Sequence, residues 1–479
     1  MAPPVLTRLA AAGTPAGACA WRRLQKQGVT VTRICGLVVD DTDAERLSPL
    51  LTSLPALVSI SEFGASSGLT LQARRDAAAA AVQDFLAGAA RTIGRCSCLR
   101  QLDLRIELAD ELADWMPGTV WQYLAEARAL KQLQLTIKSH GVYMNNGATT
   151  AIRGHTASRV LIGLAGLLQL RTLTLTLLNV YREATLPACL SRLVQLTSLT
   201  ISGVCGLNCA PGWARLPALA RLEFVDCDFN CDGEDALPGM DALASLTSLE
   251  LWDCSGLHVL PTSLWRLTQL RCLVHCLWDE APRDEVPVWS LPACASACAA
   301  SLTNLTLVGH NMFTWPACVL AATRLAHLDL TRNCFEQLPE GVSVLTALQT
   351  LSLGRLSAGE LEIGGALDAR ALGSLACFPA LREVSFADCS VLFGPSFQAA
   401  AAHPRLDCLE LSTSYPACGP SCQAFLGFAL ALLQQGRTEV LRVRKSIFRG
   451  AGQQDGQRFR AALEAVGIAL CDDSDDNAE

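Results

Sequence analysis

Charged side chains are scarce in this chain and aromatic ones scarcer. Asp, Glu, Lys and Arg make up 17% of it and Phe, Trp and Tyr 6%, against 51% hydrophobic residues. So much apolar material with so little charge excludes a globally disordered polymer. With few aromatics, leucine and alanine must carry the burial, which favours a core of similar, regularly spaced side chains. A basic excess is missing too. The net charge is −7. Its extremes lie at an acid-free start, with Arg8, Arg22, Arg23, Lys26 and Arg33, and an acid-rich end, Asp472–Glu479. The body between them lacks the footprint of a nucleic-acid-binding surface.

Several motifs are absent as well. No apolar run approaches the roughly 20 residues that span a bilayer. Arg8 and Pro15 interrupt the first apolar stretch, against a secretory signal. An arginine-bearing leader is the alternative, an organellar transit peptide, although residues 1–30 contain no serine. No Gly-Lys dipeptide exists to build a phosphate-binding loop, and no His-Glu-x-x-His helix to hold zinc. Gly64-Ala-Ser66-Ser-Gly68 matches a nucleophile elbow in letters, but no oxyanion segment accompanies it. Gly450-Ala-Gly452 lacks the third glycine of a dinucleotide loop. The 22 cysteines are spread along the chain, five pairs at C-x-x-x-C spacing and none at the C-x-x-C of a zinc knuckle. They read as reduced, mostly buried small hydrophobes in a reducing compartment. No cofactor and no metal is expected.

What is present is a repeat. The template L-x-x-L-x-L-x-x-N/C begins at Leu99, Leu130, Leu170, Leu196, Leu219, Leu246, Leu270, Leu302, Leu325, Leu348, Leu381 and Leu406. The clearest copy runs Leu325-Ala-His327-Leu328-Asp329-Leu330-Thr-Arg-Asn333. Its second and third leucines stand two apart, so on a strand they share the buried side, and the residues between and around them face out. Return segments such as Leu186-Pro187 to Leu196, Leu260-Pro261 to Leu270 and Leu338-Pro339 to Leu348 put apolar residues three apart behind a proline suited to a first helical position. One such unit cannot bury its own core, so stability must come from stacking. The ninth position, Asn333 once and Cys227, Cys254 and Cys389 elsewhere, should bond the backbone as the chain turns out of the strand.

On these residues the chain from Leu99 to about Val443 resembles the leucine-rich-repeat superfamily. Copies such as Leu246-Thr-Ser-Leu249-Glu-Leu251-Trp-Asp-Cys254 with Leu260-Pro261 look like the plant-type intracellular repeats of Ras-group and disease-resistance proteins. The resemblance implies an α/β leucine-rich-repeat solenoid, a curved horseshoe with a concave parallel sheet and a helical or irregular convex side. It also implies protein partners on the concave face. No nucleotide-binding domain or kinase accompanies the repeats, so an immune-receptor role is not implied.

The expected organisation is a basic leader (1–30), degenerate repeats with a long helix (31–98), the array (99–448), a capping helix (449–471) and an acidic tail (472–479). Residues 143–156 read as an insertion loop. The outward position between the paired leucines carries Asp103, Gln134, Thr174, Thr200, Glu223, Glu250, Val274, Thr306, Asp329, Ser352, Ser385 and Glu410. Trp252, Val308, Thr331 and Ser412 follow two residues on.

Neighbouring strands would set Glu223 beside Glu250, with Arg221 as the offsetting charge. Arg221, Glu223, Asp226, Glu250, Trp252 and Asp253, with His327 and Asp329, are the expected partner-binding residues, suited to a partner with a basic surface. A tryptophan on an open sheet face is an anchor of the kind interfaces use. His275 falls in an inward slot and reads as a core histidine. The chain is therefore expected to be a non-catalytic cytoplasmic scaffold in signalling or cytoskeletal assembly. The alternative is a ubiquitin-ligase adaptor, on the F-box-like Ala20-Trp21-Arg22-Arg23-Leu24.

Overall fold

Alternation of leucine with polar residues dictates strands, and a computed structural model of the protein places one in every copy of the template. It describes residues 98–108, 118–139, 160–180, 184–229, 237–257, 262–277, 296–310, 314–333, 341–355, 374–387 and 405–412, with short strands and single positions outside them. The basic leader with its F-box-like segment, the helix expected at 72–92 but for a few residues from Ala90 on, the 143–156 loop, Cys389 and the acidic tail lie outside the described residues. Of the expected capping helix, residues 461 and 464 are helical, while Leu470–Cys471 is a strand.

The chain divides into two compact units, Met1–Ser248 with Cys254–Leu257, and Leu249–Asp253 with His258–Glu479. In the first unit the strands are β1 (Arg33–Cys35), β2 (Val38–Val39), β3 (Ser59–Ser66), β4 (Gln101–Leu108), β5 (Gln132–Ser139), β6 (Thr172–Val180), β7 (Ala184–Leu186), β8 (Ser198–Val204), β9 (Leu207–Cys209) and β10 (Arg221–Val225). Strands β3, β4, β5, β6, β8 and β10 form one parallel ladder in that order, with β1 and β2 on β3. Strands β7 and β9 pair in a separate short ladder on the return path. Next comes β11 (Ser248–Trp252), of which all but Ser248 belongs to the second unit. That unit continues with β12 (Cys272–Cys276), β13 (Asn304–Val308), β14 (His327–Asn333), β15 (Thr350–Arg355), β16 (Glu383–Ala387), β17 (Cys408–Ser412), β18 (Leu441–Arg444) and β19 (Leu470–Cys471), parallel and paired consecutively from β12. Each unit is an α/β leucine-rich-repeat solenoid.

The register matches the template. All twelve first-position leucines are at most 2% exposed, and the paired inward residues whose burial is described, such as Leu222 with Phe224 and Leu328 with Leu330, are at most 3% exposed. In-register pairs such as Leu305↔Leu328 and Leu328↔Leu351 stack leucine on leucine from repeat to repeat. Ser66 is the last residue of β3, paired with Glu107, and the turn that a nucleophile elbow would need after it lies outside the described residues.

The return segments differ from the sequence expectation in one respect. Most of them are 3₁₀ turns, such as Ala188–Arg192, Ala317–Ala321 and Val342–Val344, with α-helix in the described residues at α1 (Gly118–Glu126) and α2 (Ser296–Ala299). Leucines three apart, as at Leu190, Leu193 and Leu196, suit three residues per turn better than 3.6. Pro187 accordingly stands one place earlier than expected, as an extended N-cap with ψ of 147°, and Pro316 is an N-cap of the same kind with ψ of 122°.

Candidate partner-binding faces of the sheet

In several repeats two adjacent positions shape the end of the strand. The eighth bends the chain into the left-handed region at five of them: Gly203 (φ 74°), Asp226 (51°), Asp253 (52°), Gly309 (81°) and Arg332 (58°). Aspartate tolerates that region better than most residues. Asp226 and Asp253 therefore have a backbone reason to be where they are, at the edge of the sheet and not on its face.

The ninth position clamps the turn. Asn333, fully buried, donates through Nδ2 to Leu307 O (2.7 Å) and Leu330 O (3.0 Å), and its Oδ1 accepts from the N–H groups of His310 and Met312, both at 3.2 Å. Cys227 and Cys254 do the same job more weakly, their thiols donating to Ile201 O and Phe224 O at 3.5 Å. The hydrogen bond from the neighbouring Cys254 thiol holds the Cys227 thiol below its usual value, against the opposing effect of burial. A fourth clamp escaped the sequence reading. His310, eight residues after Leu302, donates through Nε2 to His275 O at 2.9 Å. Counting eight residues on from each first leucine would have found it, because all four side chains reach the same carbonyl of the preceding repeat.

In the first unit the outward face is polar. On β5, β6 and β8 the three outward rows read Gln132, Gln134, Thr136; Thr172, Thr174, Thr176; Ser198, Thr200, Ser202, in register across the ladder. At the β10 edge Arg221 approaches Glu223 (3.6 Å), and Glu223 also accepts a hydrogen bond from Thr200 (3.0 Å). The offsetting charge expected of Arg221 is thus in place along its own strand. The pair is shared with water, Arg221 being half exposed and Glu223 19% exposed at their side chains, so it adds little stability.

The second unit's outward face opens with Glu250 and Trp252 on β11, where the indole Nε1–H donates to Glu250 Oε2 at 3.3 Å. Trp252, half-buried, packs with Cys272 against Val274, Cys276 and Val308. This corrects the expectation for Val274 and Val308. They stand at outward positions yet are 4% and 2% exposed, because the indole and its neighbours form a second apolar cluster on that face. Farther along, His327 is exposed, with Nδ1 3.0 Å from Thr350 Oγ1. Asp329 accepts the Thr331 N–H at 2.9 Å, and burial pushes its carboxyl above the usual range despite that bond. Burial, with a contribution from Asp329, pushes the Cys276 thiol up to about 12.

The structure thus groups Arg221 with Glu223 in the first unit, and Glu250 with Trp252 in the second. His327 and Asp329 lie on β14, and Asp226 and Asp253 at turns. His275 is fully buried, as expected, with its ring centroid 4.4 Å from that of His310.

Twelve cysteine side chains are described, between Cys98 and Cys408. Five are buried, so burial is less general than the sequence suggested. Among the described residues no group of three or more His, Cys, Asp or Glu could hold a metal ion. No helix there is long and apolar enough to cross a membrane.

No protein-family model matches the sequence, and no curated protein matches it. Among solved structures the chain is similar to a leucine-rich-repeat protein of Leptospira interrogans, at a TM-score of 0.51 and 15% identity, covering 92% of this chain and 90% of that one. It also matches the leucine-rich-repeat ectodomain of the Arabidopsis receptor kinase HAESA, solved with an extended IDA peptide hormone. There the TM-score is 0.41 at 15% identity, over 87% of this chain and 59% of that one. The chain therefore spans less than two thirds of the ectodomain. Identity this low reports on fold, and the fold it reports is the one built above.

Proposed function

We propose that this chain is a non-catalytic scaffold that binds protein partners on the outward faces of its parallel sheets. The observation that carries the reading is Trp252. It is a large amphipathic side chain on an outward sheet position, resting on Val274, Cys276 and Val308, with its N–H directed to Glu250. Aromatic side chains that are seated but not swallowed are the usual anchors of protein interfaces. Glu250, His327 and Asp329 supply the polar rim of the second unit's site, and Arg221 and Glu223 a separate polar site in the first. Asp226 and Asp253 hold turns. Carboxylates outnumber bases among these residues, which favours a partner surface rich in Lys or Arg. The same balance disfavours a nucleic acid. A cytoplasmic role in signalling or cytoskeletal assembly fits a protein-binding repeat array whose 22 cysteines are spread along the chain and not set in a compact framework.

The test is affinity capture from the native cell with mass spectrometry, comparing wild type with Trp252→Ala. A protein retained by wild type and lost from the variant, with affinity lowered by about 2 kcal/mol or more on titration, supports the reading. Identical captures move the site elsewhere.

A further inference from the structure

The clamp of the repeat that begins at Leu302 is a titratable ring. His310 is 1% exposed, and its Nε2–H reaches the same carbonyl position on β12, His275 O, that asparagine and cysteine reach from the other clamps. Its own backbone N–H is held by Asn333 Oδ1, so the clamps of two successive repeats are joined through it. The His275 ring, fully buried, lies against it at 4.4 Å. We propose that His310 is an acid-released latch, which ties β12 to the turn after β13 while its ring is neutral and lets go when that ring takes up a proton.

The physical reason is the surroundings of the ring. Among the described residues the His275 imidazole from β12 lies against the ring, and the Asn333 amide from the end of β14 holds its backbone N–H. Arg332 stands at the turn after these strands, and the titratable residues described on them, Cys272, Cys276, His327 and Asp329, occupy outward positions on the other face of the sheet. Cys276 is held neutral there by a thiol value of about 12. A proton on His310 therefore places a charge on a ring that is 1% exposed. Burial accordingly lowers His310 to about 4, against the smaller, opposing effect of its bond to the His275 carbonyl. An unfolded histidine titrates near 6.5. The folded state keeps its full advantage above that value and loses it as pH falls from about 6.5 towards about 4.

The latch lies under β13 and β14, whose outward residues include Thr306, Val308, His327 and Asp329. Its release would therefore weaken partner binding on that face. That consequence rests on the function proposed above; the latch itself does not, and its test needs no partner. Amide hydrogen exchange of the full chain is measured from pH 7.5 to 4.5 and corrected for the intrinsic pH dependence of exchange. Wild type should lose protection in 296–312 and 327–333 below about pH 6.5, by up to about tenfold per pH unit. The segments 101–108 and 132–139 should change less. His310→Asn, which keeps a donor at the ninth position and removes the titration, should flatten that acid response. Should the variant fail to fold, His310→Gln and the wild-type profile alone still decide. Uniform acid loosening across all segments overturns the latch, as does an acid response in 296–312 that survives in a folded His310→Asn or His310→Gln.

Discussion

At five of the strands a single left-handed backbone angle, at the eighth position, turns the chain out, and residue type there sets how much strain is stored. Gly309 takes φ 81° without penalty, and a Cβ on it would lie 2.3 Å from Leu277 O. Gly309→Ala should therefore destabilise the protein by more than about 2 kcal/mol, the sum of left-handed strain and a backbone clash. Arg332 holds the same conformation with a side chain, so Arg332→Gly should be neutral to slightly stabilising, by about 0–1 kcal/mol. Chemical denaturation of the two variants checks the pair, and equal effects would contradict a common turn geometry. One position on, Asn333 satisfies two carbonyls and two N–H groups in the dry interior. Asn333→Ala should cost about 3 kcal/mol or more, since each buried group left unpaired costs about 1–3 kcal/mol. Cys227→Ala, which removes long thiol contacts, should cost less by the same measurement.

The strand is the element the sequence announced most clearly, because its signal is a two-residue alternation anchored by leucine. Leu328 and Leu330 are 1% and 0% exposed, and Leu330 pairs in register with Leu353. Leu330→Ala should lower stability by about 2–5 kcal/mol. Because each repeat packs on its neighbours, exchange should rise first in 304–308 and 350–355. No change there would refute the register.

The clamps at Asn333, Cys227 and Cys254 were legible for the same reason, fixed spacing from a leucine. Three features were not. His310 has the spacing but not the residue type of the template. Val274 sits in an outward slot and is buried in a cluster with Cys276 and Val308 against which Trp252 packs, and that depends on neighbours that alternation does not report. The return segments carry leucines three apart, a spacing compatible with both an α-helix and a 3₁₀ turn until the burial of each leucine is known. The candidate site follows this division. Its strand positions were readable, whereas the turn role of Asp226 and Asp253 needed the backbone angles. Trp252→Ala, now seen to strip part of an apolar cluster, should cost about 1–2 kcal/mol of stability, below the roughly 3–5 kcal/mol of a fully buried aromatic. A larger loss on thermal unfolding would make the residue core and remove it from the proposed interface.

For the molecule as a whole, thiol chemistry is the most general property to measure, since 22 cysteines are distributed over its length. Of the twelve whose side chains are described, the buried five, Cys227, Cys254, Cys276, Cys298 and Cys318, are shielded from reagent. Burial also pushes Cys276 and Cys298 up to about 12, so almost no thiolate is present at neutral pH to react. Cys98 and Cys377 are exposed. A brief alkylating pulse on the native protein should therefore label Cys98 and Cys377 first, the half-buried group (Cys189, Cys205, Cys209, Cys272 and Cys408) more slowly, and the buried five last. After denaturation without reductant, mass counting should find all 22 thiols reactive. Partial blocking in the denatured chain would mean disulfides among these cysteines, which belong to an oxidising compartment. The proposed cytoplasmic setting would then fall, while the fold, which draws on leucine spacing and not on sulfur bridges, would stand.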